Sequence, residues 1–220
     1  MRKFLLLLGL LSSYAAYSQD TEEKLHTFFV NVNGGLGFTN YNFNSNSPNA
    51  PYTAPEVNSA FVLSLPFKAN LMYHHSIMNV GYGLDERKIN IGLGIKRQGL
   101  SGDYYDYDST EYVALRTSFY KFTGRVELIL IENERNGRSG GFGAFIEAGS
   151  FFVRNPIGRP TANGFCIAAG GFYFHQITDN LFLYLEVNEG YDRYKTIINL
   201  DYSTHNLLTS EILIGLRIKI

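Results

Sequence analysis

Apolar residues alternate with polar residues or glycine through most of the chain after residue 18, which is the feature that most restricts its fold. In residues 89–96, isoleucine and leucine alternate with asparagine, glycine and lysine, and residues 212–220 repeat the pattern. A period of two places the apolar side chains on one face of a strand. No stretch after residue 18 approaches the ~20 apolar residues of a membrane helix. The sequence therefore predicts an all-β protein, and a closed barrel if the chain lies in a membrane, because lipid leaves no other way to satisfy strand backbones.

The alternating segments predict eight antiparallel strands in up-and-down order, with ten strands as the alternative. Three short polar turns are predicted near residues 85–88, 132–139 and 178–180. Generally longer loops are predicted near residues 40–65, 99–110, 154–163 and 200–206. Short turns at one end and longer loops at the other are typical of transmembrane barrels, in which the short turns face the periplasm. An even number of strands then places both chain ends in the periplasm.

Two segments leave the strand pattern open. Residues 57–75 alternate like a strand and either extend the second strand, which also includes residues 78–84, or form an additional hairpin. In the long strand over residues 113–131, the polar face changes phase between Phe119 and Gly124, which predicts a one-residue β-bulge.

The N-terminus has the order of a secretory signal peptide. Arg2 and Lys3 precede an apolar run over residues 4–11, and Ala16 and Ser18 provide the small residues before a cleavage site. A buried N-terminal helix, the alternative, would not require these three features in sequence. We predict a signal peptide over residues 1–18 and an outer-membrane barrel domain over residues 19–220. No cysteine stands at the cleavage point, which argues against lipoprotein processing.

Composition excludes several classes of protein. The chain has 17 Phe, 16 Tyr, 22 Gly and no Trp, an enrichment that suits a sheet protein. Its net charge of −1 gives no reason to expect a nucleic-acid partner. Cys166 is the single cysteine, so no intramolecular disulfide can form, and we expect it to pack as a small apolar residue.

Alternation alone does not distinguish a membrane barrel from a soluble barrel such as a lipocalin, whose apolar face points inward. Here the polar face is rich in glycine and carries few charges, which suits a narrow lumen where opposite charges pair; these are Lys96, Arg116, Arg125, Glu127, Glu147, Glu186, Glu211 and Arg217. Tyrosines at strand ends are typical of interfacial girdles; these are Tyr104, Tyr105, Tyr107, Tyr112, Tyr184, Tyr191, Tyr194 and Tyr202. We predict a transmembrane barrel, with a soluble carrier as an alternative.

The first strand runs into Gly34-Gly35-Leu36-Gly37-Phe38, and the chain ends on Gly215-Leu216-Arg217-Ile218-Lys219-Ile220. With the signal peptide and the repeated strand–turn–strand units, this resembles the outer-membrane β-barrel domain family of porin-like proteins common in Bacteroidetes, over residues 26–220. The resemblance implies a location in the cell outer membrane. It also implies outer-membrane lipid, the barrel assembly machinery and other envelope proteins as partners.

One short arrangement has catalytic potential. His74 and Ser76 lie two residues apart, so on a strand they face the same side, where a histidine can activate a hydroxyl. The spacing is similar to the His-x-Ser pair of lipid A deacylases, which are eight-stranded barrels, but Ile77 stands where that family usually has asparagine. We interpret the pair as polar residues at a strand bend or barrel rim. His74 and His75 face opposite ways and cannot share one metal ion, so we predict no catalytic, cofactor-binding or metal-binding residues.

The leading hypothesis is a non-enzymatic outer-membrane barrel that presents extracellular loops or docks with other envelope proteins, in adhesion, envelope integrity or a larger complex. An eight-stranded interior is just wide enough to be filled by side chains. The acidic, tyrosine-rich residues 103–108 are predicted as a solvated extracellular loop, with a recognition surface as the alternative. Alternatives for the whole protein are a narrow channel, a lipid A-modifying hydrolase that uses His74 and Ser76, and a soluble lipocalin-like carrier.

Overall fold

The computed structural model describes residues 26–46, 57–77, 87–106, 111–135, 137–154, 160–198 and 201–220. Eight strands form a closed antiparallel barrel in which each strand pairs with the next and the last pairs with the first. They are β1 (His26–Asn46), β2 (Val57–Ile77), β3 (Arg87–Asp106), β4 (Glu111–Arg135), β5 (Arg138–Arg154), β6 (Pro160–Thr178), β7 (Leu181–Ile198) and β8 (Asp201–Lys219). The prediction of eight strands is confirmed, and the ten-stranded alternative is wrong. The predicted signal peptide and its boundary at residue 18 lie outside the described residues.

The strands are staggered around the barrel. From Asn40 on β1, a line of paired residues passes to Leu208 on β8 and then through β7, β6, β5, β4, β3 and β2. It returns to β1 at Val30, ten residues from where it started. This stagger tilts the strands by about 40° from the barrel axis. The strands have 17 to 25 residues, whereas about 9–11 residues cross a bilayer. The barrel wall therefore extends beyond the membrane.

Several predicted loops are strand instead. Residues 57–75 belong to β2, and the predicted loops at 40–65, 99–110 and 200–206 are largely replaced by paired strand ends. Asn44 pairs with Val57 and Asp106 pairs with Glu111, so the residues from 103 to 106 are strand and not loop. The predictions failed because backbone pairing continues at residues such as Asn44 and Asp106, where the sequence shows no apolar alternation. Residues 78–84, predicted as strand, lie outside the described residues.

The turns at the opposite end are shorter than predicted. β4 ends at Arg135 and β5 begins at Arg138, so the predicted turn over 132–139 consists of two residues. Gly137 has φ = 69°, a left-handed conformation that glycine adopts without strain. The turn predicted at 178–180 is confirmed at residues 179–180. At the other end, the connection between β5 and β6 is also shorter than the loop predicted over residues 154–163. The expected contrast between short turns and long loops is therefore partial, because β7 and β8 are also joined by only two residues.

The predicted bulge between Phe119 and Gly124 is wrong. Phe119, Lys121 and Arg125 all face the lumen, so the alternation of β4 continues without interruption. What changes is the chemistry of the inward face, which is aromatic at Phe119 and polar below it. The register of β4 shifts further along, between Ile129 and Ile131.

The outer wall carries a belt of exposed apolar side chains on all eight strands. Leu36 is 61% exposed, Phe61 72% and Ile146 61%. Inward positions of the same strands hold buried polar and charged residues. This polarity is the reverse of that in a soluble carrier barrel, so the alternative of a soluble lipocalin-like carrier is wrong. Within the described ranges, no helix is long and apolar enough to cross a membrane.

Outward residues become polar at the barrel end opposite the chain termini. On β1, β3 and β7 the apolar belt gives way to exposed polar residues, which we call the polar collar: Asn40, Ser101, Asp103, Arg193 and Lys195. The collar lies at the upper border of the belt, where Asn40 pairs with the exposed apolar residues Phe61 and Leu208.

Gly149 on β5 marks a place where neighbouring strands approach closely. A Cβ atom there would overlap the carbonyl oxygen of Phe122 and lie 2.7 Å from the Cα of Thr123. Gly124 on the adjacent strand is different, because its Cβ would meet only one atom, at 3.9 Å, on the lipid-facing side. Gly149 therefore provides a test of the close approach, and Gly124 provides its control.

We expect Gly149→Ala to destabilise the barrel by about 1–3 kcal/mol, because the added methyl group forces the backbone of β4 and β5 apart. Gly124→Ala should leave stability nearly unchanged. Urea titration of the folded protein in lipid vesicles, followed by far-UV circular dichroism, measures both. Equal midpoints for the two variants would contradict the close approach at Gly149.

Candidate functional site in the lumen

The inward side chains form three layers across the lumen. The upper aromatic layer lies toward the polar collar and consists of Tyr41, Val62, Leu100, Phe119, Phe151, Tyr194 and Leu207. The lower aromatic layer lies toward the chain termini and consists of Phe145, Phe172, Phe174, Phe182 and Tyr184, with Phe29 and Ile129 packed against it. A charged layer lies between them. β4 passes through all three layers, because its alternating residues place Phe119, Arg125 and Ile129 at successive depths.

Arg125 is the centre of the charged layer and is 1% exposed. Its Nε donates to Glu127 Oε1 at 2.9 Å, and its Nη1 lies 3.2 Å from Glu147 Oε2 and 3.0 Å from Glu186 Oε2. Its Nη2 donates to the hydroxyl of Tyr184 at 2.8 Å. The guanidinium carbon lies 3.5 Å from the centroid of the Phe145 ring. One side chain thus connects β4, β5 and β7 and joins the charged layer to the lower aromatic layer.

The other buried cations are paired in the same way. Arg217 Nη2 lies 2.6 Å from Glu127 Oε2, and Lys121 Nζ lies 2.5 Å from Asp192 Oδ2. The remaining pairs are Lys68 with Glu147 and Glu186, and Lys96 with Glu211. The buried charges among the described residues therefore comprise five cations and five carboxylates. This balance matters because an unpaired charge inside a membrane-embedded barrel is strongly destabilising.

The upper aromatic layer is tied together by stacking and hydrogen bonds. The Tyr194 ring stacks on Phe151 at 5.0 Å and on His205 at 4.3 Å. The hydroxyl of Tyr41 lies 2.6 Å from His205 Nδ1 and 3.2 Å from the Tyr194 hydroxyl. These contacts fix rings from β1, β5, β7 and β8 across the barrel mouth.

Between the upper aromatic layer and the charges below it, polar side chains are bonded to one another. Gln98 Nε2 donates to Ser64 Oγ at 3.0 Å, and Ser64 Oγ donates to Glu211 Oε1 at 3.1 Å. A void in the charged layer beside Lys121, Thr123 and Asp192 has a volume of about 10 Å³, which is room for about one water molecule. The inward side chains of the upper aromatic layer and the charged layer are buried, so side chains fill this part of the lumen.

Most predicted lumen charges lie where the sequence places them. Seven of the eight are buried inside and paired with opposite charges, as predicted; the eighth, Arg116, has a side chain outside the described part. Lys68, Lys121 and Asp192 were not among the predicted lumen charges. Lys68 lies in the segment that was left open, and Lys121 was obscured by the assumed phase change. Continuous alternation through β2 and β4 is the signal that identifies Lys68 and Lys121 as inward residues.

The predicted tyrosine girdle is partly wrong. Tyr184 and Tyr194 are buried in the two aromatic layers, at 0% and 5% exposure. The inward face of a barrel accepts aromatic residues where they stack on one another, which alternation by itself does not reveal. Tyr191 faces outward and donates to Asn206 Oδ1 at 2.9 Å. The other predicted girdle tyrosines, Tyr104, Tyr105, Tyr107, Tyr112 and Tyr202, have side chains outside the described part.

His74 lies half-buried at the lower end of the lumen. Its Nδ1 is 2.6 Å from Asn90 Oδ1, and Asn90 Nδ2 donates to Glu127 Oε2 at 2.8 Å. The histidine is thus linked to the charged layer. The side chains of His75 and Ser76 lie outside the described part, so the distance between His74 and the serine hydroxyl is not defined.

Metal ligation and thiol chemistry find little support in the described side chains. No group of three or more His, Cys, Asp or Glu side chains among them is arranged to hold a metal ion. Cys166 is a buried free thiol whose Sγ lies 3.8 Å from the carbonyl oxygen of Ser150. Its small volume fits the inner wall of β6, as predicted for an apolar packing role.

No protein-family model and no curated protein matches the chain. Among solved structures it is similar to the outer membrane protein AlkL in lipid bilayers, with 6% identity, a TM-score of 0.52, and coverage of 92% of this chain and 94% of AlkL. It is also similar to the outer membrane protein OprG from Pseudomonas aeruginosa, with 7% identity, a TM-score of 0.51, and coverage of 88% of this chain and 96% of OprG. The fold is that of an outer-membrane β-barrel. Together with the apolar outer belt, it places the chain in the outer membrane, as the sequence predicts.

We expect Arg125→Met to destabilise the barrel by about 3–5 kcal/mol, because three buried carboxylates lose a cation that they share. Arg193→Met at the exposed collar is the matched control and should change stability by less than about 1 kcal/mol. Urea midpoints in lipid vesicles give the difference. Similar midpoints for both variants would show that Arg125 is not the centre of the charged layer.

Proposed function

We propose that this chain is a sealed, non-enzymatic outer-membrane barrel that acts through surfaces outside its lumen. The observation that carries the proposal is the filled interior, in which a balanced charged layer lies between two aromatic layers. A protein of this kind presents its extracellular end or docks with other envelope proteins. Adhesion, envelope integrity and membership of a larger complex are the roles that fit it.

The narrow channel is the alternative that the lumen disfavours. A passing ion would have to displace the stacked rings of Phe151 and Tyr194, and then separate ion pairs such as Lys121–Asp192. Breaking a buried pair costs several kcal/mol, so a conducting path would require a large rearrangement. The hydrolase alternative depends on His74 and Ser76 alone, and the bond of His74 Nδ1 to Asn90 links the histidine to the charged layer.

The polar collar supports action at the end opposite the chain termini. Asp103, Arg193 and Lys195 stand exposed on strands that extend beyond the belt, and a mixed set of charges is suited to contact with a protein partner. We propose that this end is extracellular and that the termini are periplasmic. The same proposal includes membership of the porin-like family common in Bacteroidetes and insertion by the barrel assembly machinery. Both are supported by the residue patterns of the first and last strands.

The sealed lumen predicts electrical silence. The folded protein, reconstituted into planar lipid bilayers, should give no stepwise conductance, because its interior is filled by side chains. A porin reconstituted in the same way serves as the positive control, and protein-free bilayers as the negative control. Stepwise conductance that increases with the amount of this protein would favour the narrow channel instead.

The proposed orientation predicts which end is labelled in intact cells. Lys195→Cys at the collar should react with a membrane-impermeant maleimide in intact cells. Arg138→Cys at the other end should react only after the outer membrane is opened. The unchanged protein is the control, because its only cysteine, Cys166, is 5% exposed. The reverse pattern would contradict the orientation.

A further inference from the structure

A cleft of about 560 Å³ opens on the outer wall near the chain termini, at the lower border of the apolar belt. It crosses β4, β5 and β6 and is lined by Asn133, Arg138, Gly140, Gly141, Phe142, Tyr173 and His175. Its volume is within the range of small-molecule sites. The charged lumen and the polar collar, which carry the proposed function, do not include it.

The cleft is amphipathic along the axis of the barrel. Phe142 pairs directly with Tyr173 across β5 and β6, and the next outward pair toward the membrane is Ala144 with Gly171. The next outward pair in the other direction is Gly140 with His175, followed by Arg138 at the start of β5. Apolar and aromatic side chains therefore lie on the membrane side, and polar and cationic side chains lie on the water side.

Local packing keeps this cleft open and well formed. Gly140 has no side chain, and a Cβ there would lie 3.2 Å from His175 Nδ1 and 3.3 Å from the Phe174 carbonyl oxygen. The Tyr173 ring lies 5.3 Å from Phe142 and is parallel to the His175 ring within 5°. At the same strand ends, Ser139 N donates to Gln176 Oε1 at 2.8 Å, which fixes β5 against β6.

The charge in the cleft is positive. Among the described residues, no carboxylate forms an ion pair with Arg138. Two acids lie near it on β4. Glu132 is bound by Lys88, with Nζ 2.7 Å from Oε2, and Glu134 pairs with Ser139 and alternates to the face of β4 opposite Asn133. An exposed guanidinium at a membrane surface pairs well with phosphate, which it can contact through two N–H groups.

We propose that this cleft binds the headgroup of an anionic phospholipid from the leaflet on the side of the chain termini. Arg138 binds the phosphate, Asn133 and His175 contact the polar headgroup, and Phe142 and Tyr173 pack against the glycerol and the upper acyl chains. The continuity of the cleft with the apolar belt selects a membrane lipid over a soluble ligand, since one end of the site already lies in the hydrocarbon region.

Native mass spectrometry of the whole barrel tests the proposal. The protein is released from detergent after incubation with an equimolar mixture of phosphatidylglycerol and phosphatidylcholine, and the fraction that retains one phosphatidylglycerol molecule is measured. Arg138→Gln should lower this fraction about fivefold, since one basic residue near a membrane surface contributes roughly that much. Arg193→Gln, which removes an exposed arginine at the collar, is the matched control and should leave it unchanged.

A second variant acts on the shape of the cleft and not on its charge. Gly140→Val fills the space beside His175 and should also reduce retention, while heat-modifiable gel migration verifies that each variant is folded. Equal retention by the unchanged protein, Arg138→Gln and Gly140→Val would overturn the proposal. An equal loss in Arg138→Gln and Arg193→Gln would also overturn it, because it would mean that any surface arginine attracts the lipid.

Discussion

Closure of β1 on β8 is the constraint on which the rest of the structure depends. The two strands pair continuously from Phe29 with Lys219 to Asn46 with Tyr202. With this seam closed, no strand edge presents unpaired N–H and C=O groups to lipid, where each would cost several kcal/mol. Closure makes the strands compatible with lipid, and the lipid in turn favours an apolar outer face, so the polar side chains within the belt lie inward. The reversed polarity of the barrel therefore depends on closure and on the membrane together.

Once polar side chains face inward, the narrow lumen determines how they are arranged. Eight strands leave room for side chains but little for water, so the buried charges must compensate one another. Among the described residues, five cations and five carboxylates do so, with Arg125 shared among three acids. The aromatic layers shield this charge from water at both ends. In turn, the low dielectric strengthens the ion pairs and raises the cost of separating them. Charge balance and sealing thus depend on each other.

The sequence predicts the fold well because alternation reports directly which residues share a face. The apolar faces of β3 and β8 and most of the lumen charges follow from period two alone. Strand ends were less predictable, since residues such as Asn44 and Asp106 continue the backbone pairing where no apolar belt marks it. The aromatic layers could not be predicted, because Phe119 and Tyr194 look like membrane-facing residues until their partners across the lumen are known. Contacts such as Phe151 with Tyr194 join strands that do not pair, and no local pattern encodes them.

Two regions of the outer wall depart from a plain apolar belt. One is the collar, whose charges extend beyond the membrane on the long ends of β3 and β7. The other is the cleft at Arg138, where glycine removes a side chain between aromatic and cationic neighbours. They lie at opposite ends of the barrel and so face different leaflets. A lipid bound in the cleft would fix the depth of the belt in the membrane. Its phosphate would lie below the lower border of the belt, and its acyl chains would lie above it. The height at which the collar stands above the opposite leaflet would follow from that depth, so the two ends are coupled by the rigid length of the strands between them.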